Sequence, residues 1–317
     1  MSRLITRAAA LNLLHQLTRS WAANDWTARE AFLSADVALR SDHKGNHEGR
    51  DSVIAQFEDS IHQDRRLFLD TTNHYVTADG KGRAIVSAYG YGELSQPPSR
   101  SPTTAFGNVM RLRLAWCGED WKITEILLSV VWVEGDTQAL TDWKLPPGQQ
   151  GWRPGDAPPT LVSELDSPWA VMPDNQVQAS EVEKIADTYS RYAWGIDQND
   201  IALFKTTYTN DASGLFPPLG PLSGLHEIVG SLKAFRRLWP WMQHHGEPLK
   251  ITLADDGQQA EMWVGRRIPG RWVNEQDERL YGAHYRLELV KDDGLWKFRW
   301  SEYVPGWFDD TALPFTP

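Results

Sequence analysis

Arg266 stands where a charge is costly. In the run Met262, Val264, Arg266, Ile268 it shares the apolar face of a strand, and a charge there must be paired or used. Used, it would hold a substrate carboxylate or an enolate oxygen. Glu302 follows Trp296, Phe298 and Trp300 at the same alternation and is expected to look into the same hollow. Two readings stay open: Arg266 and Glu302 neutralise each other, or both face a ligand. Tyr189 and Tyr192 share the apolar face of a helix, as hydrogen-bond donors to a substrate or as core.

Other chemistries find less support. His43 and His47 lie four apart with carboxylates beside them, a spacing that suits zinc on a helix. Gly45, Asn46 and Gly49 make this stretch a turn, so no metal is expected. There is no Gly-x-Ser-x-Gly nucleophile turn and no phosphate-cradling glycine loop. The single cysteine, Cys117, sits at a strand end. No cofactor is expected.

These residues are positioned by an element order that occurs twice. Trp121-Lys122 reappears as Trp296-Lys297, 175 residues on (296 − 121). The same offset joins Asn24-Asp25 to Asn199-Asp200, Gly45 to Gly220, Gly49 to Gly224, Gly90 to Gly265, Arg111 to Arg286 and Trp132 to Trp307. Chance identities would scatter over many offsets, so this is a duplicated domain. The copies are expected at 1–144 and 176–317, with a Pro/Gly/Gln-rich linker at 145–175. In the second copy a helix runs from an N-cap at Ser180, with Glu183 in the capping-box position, to about Asp197. A short helix from Asp200, a third over Leu225–Arg237 and four strands follow. The first copy repeats the order, with helices near 4–22, 26–33 and 51–62. The predicted class is α+β: two cones, each three helices on a curved antiparallel sheet. Arg111 and Arg286 alternate with the apolar residues of their strands. They are expected on outer sheet faces that pair the copies as an internal pseudo-dimer, with further oligomerisation open.

Composition bounds the partners. The chain of 317 residues is 41% hydrophobic and carries a net charge of −10, which disfavours nucleic acid. Nothing approaches a membrane span, and one cysteine fits a reducing, cytoplasmic setting. The concave face of such a cone usually holds a pocket, so a small molecule is the expected partner.

The second copy resembles the SnoaL-like branch of the nuclear transport factor two-like superfamily. Within that branch it is most similar to the scytalone dehydratase group. The matching stretches are GIDQNDIALF at 195–204, RRIPGRW at 266–272 and DGLWKF at 293–298. The resemblance implies an enzyme without cofactor, in which a buried histidine and a carboxylate move protons on a polarised small molecule. The carboxylate that ends the first long helix corresponds to Asp197. The histidine that opens the first long strand, 24 residues before the Arg-x-Pro segment (269 − 245), corresponds to His245. A second pocket histidine is replaced by Gly270, a pocket asparagine by Tyr285, and a pocket tyrosine by Phe216. In the first copy the Asp197 position is Ala22 and the histidine position falls near Leu69 or Asp70, so that copy is expected to be a scaffold. The resulting expectation is a dehydratase-like lyase or isomerase acting on a small apolar cyclic or aromatic molecule. The alternatives are a non-catalytic binding or scaffold protein, and a hydrolase of the epoxide-hydrolase kind with Arg266 between two carboxylates.

Overall fold

The computed structural model describes residues 4–58, 64–99, 101–140, 143, 160–238 and 242–315. The chain divides into two compact units after Ala179. In the first, α1 (Arg7–Ala23) is capped by the Thr6 side chain and buries Leu13, Leu14, Leu17 and Trp21. After it come α2 (Arg29–Phe32), the hairpin β1 (Leu33–Ser41) and β2 (Gly45–Glu48), and α3 (Arg50–Phe57). The sheet is completed by β3 (Arg66–Ala78), β4 (Arg83–Ser95), β5 (Pro102–Cys117) and β6 (Asp120–Gly135). The end of the predicted third helix, 59–62, lies outside the described residues.

The second unit repeats this. Helix α6 (Glu181–Asp197) opens with the predicted capping box: Glu183 N–H donates to Ser180 Oγ, and Ser180 N–H to Glu183 Oε2. It leads to α7 (Ile201–Lys205), β7 (Tyr208–Leu215), β8 (Pro221–Ser223) and α8 (Leu225–Arg236). Strands β9 (Gly246–Leu253), β10 (Gln259–Arg266), β11 (Leu280–Asp292) and β12 (Leu295–Asp309) follow. The repeat glycines have a backbone reason. Gly49 and Gly224 enter α3 and α8 at φ 86 and 87 with ψ 142, a region essentially closed to residues with a Cβ.

Each sheet has six strands, in the orders β2-β1-β6-β5-β4-β3 and β8-β7-β12-β11-β10-β9. They are mixed rather than purely antiparallel. The four long strands form the expected meander, but the early hairpin returns to the last strand, so β1 pairs with β6 and β7 with β12 in parallel. Helices and sheet enclose the core of each unit.

The segment read as a linker is partly structured. Residues 144–159 lie outside the described residues. From Thr160 the chain belongs to the first unit, with two short helices, α4 (Ser163–Asp166) and α5 (Pro168–Val171). Trp169 stacks on Tyr75 at 4.4 Å, Met172 O accepts from Thr77 Oγ1 at 3.0 Å, and Ala78 O accepts from Gln176 N at 2.7 Å. Polar groups along β3 thereby gain partners.

Candidate functional site

The site lies in the second unit, where the end of α6 meets the segment before β9. Asp197, the last residue of α6, is buried. Its Oδ1 lies 2.6 Å from Nδ1 of His244, and its Oδ2 accepts the His244 backbone N–H at 2.6 Å. One carboxylate thus fixes both the ring and the main chain of the same residue. Because a carboxylate accepts, Nδ1 carries the proton and Nε2 is left as the basic nitrogen. The His244 side chain is 11% exposed, that of Asp197 1%.

The imidazole bonded to Asp197 is therefore that of His244, one residue before the His245 expected from the resemblance. Adjacent side chains in extended backbone leave on opposite sides. His245 turns its ring edge-on to Trp272, with centroids 5.2 Å apart, and is fully buried. Burial first, then the charges of Arg266 and Arg267, push its pKa well below the ordinary value, so it stays neutral.

Arg266 projects from β10 into this region and is buried. Its guanidinium donates to three main-chain carbonyls: Gln243 at 2.6 Å, His245 at 3.0 Å and Arg267 at 3.0 Å. Two of the three flank His244, so Arg266 acts as a clamp on the segment that presents the histidine. Burial works against its charge, the Asp197 carboxylate favours it, and the group stays ionised. Neither pairing with Glu302 nor seating between two carboxylates is what surrounds it.

Glu302 lies on the other face of the sheet. The expectation followed strict alternation from Trp296 and Phe298, but β12 carries a bulge there. Leu289 pairs with Phe298 and Glu288 with Trp300, leaving Arg299 as the extra residue. One extra residue reverses every face after it. Ser301 is buried, Tyr303 lies opposite Tyr285, and Glu302 lies opposite Arg286, whose partners Glu261 and Glu288 are also on the outer face. Tyr303 takes the place expected for Glu302, its ring 5.0 Å from that of Tyr285.

Tyr189, Tyr192 and Tyr285 are all brought to the site. Tyr192 lies edge-on to the His244 ring at 5.8 Å and shares a hydrogen bond with Tyr285. Tyr189 sits 5.6 Å from Tyr285, and its buried hydroxyl has no hydrogen-bond partner among the described residues. A Cβ at Gly246 would run into the Tyr189 ring, so the glycine makes room for it. Burial above all raises the three phenols, which therefore remain protonated donors. Tyr208, Phe204 and Phe298 pack behind Tyr192.

The first unit differs. Ala22 stands at the Asp197 position, and Leu69, the counterpart of His244 (244 − 175), packs on the apolar core. Trp21, Trp26, Phe57, Phe106 and Trp143 fill the space between helices and sheet. His43 lies 2.7 Å from Ser41 Oγ, and His47 Nε2 lies 2.9 Å from Lys44 O, so both are tied into the β1–β2 hairpin. Among the described residues no three His, Cys, Asp or Glu side chains are grouped to hold a metal. No described helix is long and apolar enough to cross a membrane.

His74 carries a pH dependence. Burial, then His15 and Arg7, push it down from 6.5 to about 4. The unfolded chain binds this proton between those values and the folded chain does not. The contribution is complete above pH 6.5 and is lost as pH falls toward about 4. Urea unfolding at pH 7 and pH 4.5 should show a loss of stability on acidification that His74→Gln reduces; an identical acid loss in the variant would contradict it.

Two tandem α+β units, one carrying a buried His–Asp pair among phenols and the other packed with aromatic side chains, define a duplicated domain. The chain belongs to the SnoaL-like domain family, whose profile matches residues 2–126 and again 177–301. No curated protein matches. Solved structures align with one copy at a time. A protein assigned as a scytalone dehydratase from Novosphingobium aromaticivorans shares 13% identity, with 41% of this chain and 86% of that one covered and a TM-score of 0.36. A hexachlorocyclohexane dehydrochlorinase shares 19%, covering 43% and 92% with a TM-score of 0.31. An NTF2-like protein from Cytophaga hutchinsonii shares 12%, covering 40% and 99% with a TM-score of 0.31.

Proposed function

We propose that the second unit is a cofactor-independent lyase or isomerase that moves a proton next to a carbonyl of a small, largely apolar cyclic molecule. The observation that carries this reading is the double contact of Asp197 with His244 inside an aromatic, water-poor setting. With Nδ1–H held by the carboxylate, Nε2 of His244 takes the proton from the carbon beside the carbonyl. The C–H electron pair becomes the enolate π bond, and the new imidazolium is stabilised by Asp197. Tyr189, whose protonated hydroxyl has no partner among the described residues, donates to the enolate oxygen. The imidazolium then returns its proton, either to a β-hydroxyl that leaves as water or to another carbon of the same molecule. The first outcome is a dehydration and the second an isomerisation. Arg266 is a positioning residue that holds the backbone on both sides of the base.

The first unit is proposed as a scaffold, since its equivalent positions carry no acid/base pair. A second reading, a binding protein without chemistry, is favoured by the mutual packing of Tyr189, Tyr192, Tyr208 and Tyr285. Deuterium uptake separates the two. The full chain is incubated in D2O with a panel of cyclic ketones, and loss of the proton signal beside the carbonyl is followed by NMR. Uptake faster than buffer that saturates with ketone is expected. Saturable binding with uptake at the buffer rate would favour the binding protein instead.

A further inference from the structure

A cavity lies away from this site, within the first unit. Its volume is about 480 Å³, in the range of small-molecule pockets. It is built on the outer face of the N-terminal sheet by strand register. Asn46, Arg40, Leu127 and Arg111 are successive partners across β2, β1, β6 and β5. In the adjacent row Glu125 of β6 lies opposite Arg113 of β5. The segment from Thr160 to Val171 forms the remaining wall with Leu165, Asp166 and Val171.

Three guanidiniums converge here on one carboxylate. Glu125 accepts from Arg111 at 2.6 Å and lies 3.7 Å from Arg113 and 3.6 Å from Arg40. Asp166, the second lining carboxylate, lies 3.8 Å from Arg111 and also accepts the Val162 N–H. Arg40 has one further acid, Glu48 at 3.7 Å, which is 77% exposed and lies outside the lining. Exposure to water weakens that pair. Arg111 is 3% exposed; it spends Nη1 on Asp166 O and Nη2 on Glu125, while its buried Nε–H has no hydrogen-bond partner among the described residues. Burial lowers the affinity of this guanidinium for its proton, against the pull of Glu125. Positive charge and donors are thus in excess within a chain of net charge −10, and a guanidinium fork suits a planar oxyanion. The apolar walls, Leu127, Leu165 and Val171, suit a hydrocarbon body.

We propose that this cavity binds a small carboxylate anion with an apolar body, seated by Arg40, Arg111 and Arg113. It is independent of the His244 site, and the proposal stands or falls apart from the proposed catalysis. The test is isothermal titration of the full chain with sodium benzoate, benzamide and sodium phosphate. Saturable binding of benzoate is expected, with benzamide and phosphate much weaker. Arg40→Gln and Arg113→Gln alter side chains that are nearly half exposed, so the fold is kept. Each should raise the benzoate Kd by about tenfold, the loss of one charge-assisted contact. Circular dichroism confirms that the variants are folded. The proposal is overturned if benzoate shows no saturable binding, if benzamide binds as tightly, or if phosphate does. It is also overturned if neither folded variant changes the benzoate Kd.

Discussion

His244→Asn is expected to lower deuterium uptake by roughly 10²- to 10⁴-fold, the usual contribution of a positioned general base, while leaving the protein folded. The choice of asparagine matters. Asp197 is almost completely enclosed and needs donors, since an acid left without them costs about 1–3 kcal/mol or more. The side-chain amide of asparagine can occupy the place of Nδ1–H and keep that bond, and the main-chain N–H of residue 244 still reaches Oδ2. What disappears is Nε2, together with the ring's edge contact to Tyr192. The control is His245→Leu, which removes a neutral imidazole packed on Trp272 and should leave uptake within a few-fold of wild type. A folded His244→Asn that exchanges at the wild-type rate would remove the assignment of the base. If instead His245→Leu alone abolished uptake, the base would be the second of the two histidines.

Trp21→Ala is expected to destabilise the N-terminal unit by about 3–5 kcal/mol, the range for emptying a large aromatic site in a core. Trp21 is 1% exposed, with its ring 5.1 Å from Phe57 and 6.2 Å from Phe106. It precedes Ala22, the residue at the Asp197 position, so the void would open at the level where the other unit carries its acid/base pair. Apolar cavities of this kind stay dry and accept small aromatics. Indole should therefore recover part of the loss, read as a rise in the urea midpoint of Trp21→Ala that the wild type does not show. A loss below about 1 kcal/mol would mean that the aromatic cluster is not what stabilises this unit.

The duplication and the class of fold were legible in the sequence because they rest on many weak signals that agree. The constant offset, the capping box at Ser180 and the turn glycines each have a local physical cause, and each recurs in the structure. The site was legible only in part. Periodicity placed the helix end and put Arg266 on an apolar strand face, while Asp197 was singled out by the family resemblance. The choice between His244 and His245 could not, because the phase of alternation before β9 is set by tertiary contacts: Arg266 on the flanking carbonyls and Asp197 on the His244 N–H. Glu302 was misplaced for a related reason. Alternation is reliable until one inserted residue, here Arg299, reverses it, and no residue type in that stretch announces the bulge. The same bulge hid Tyr303. Arg111 was correctly read as standing on the outer face of its sheet, but its partners there are Glu125 and Asp166 of its own unit.

The stretch from Thr160 to Ala179 separates two lengths that are easily confused. The family match of the first copy stops at Ile126, inside β6, whereas the compact unit runs on to Ala179 and uses that tail to finish its edge strand. The stretch that the family matches is therefore shorter than the unit that folds. Any scheme that cuts this polypeptide in two for separate production would have to leave the tail with the N-terminal piece.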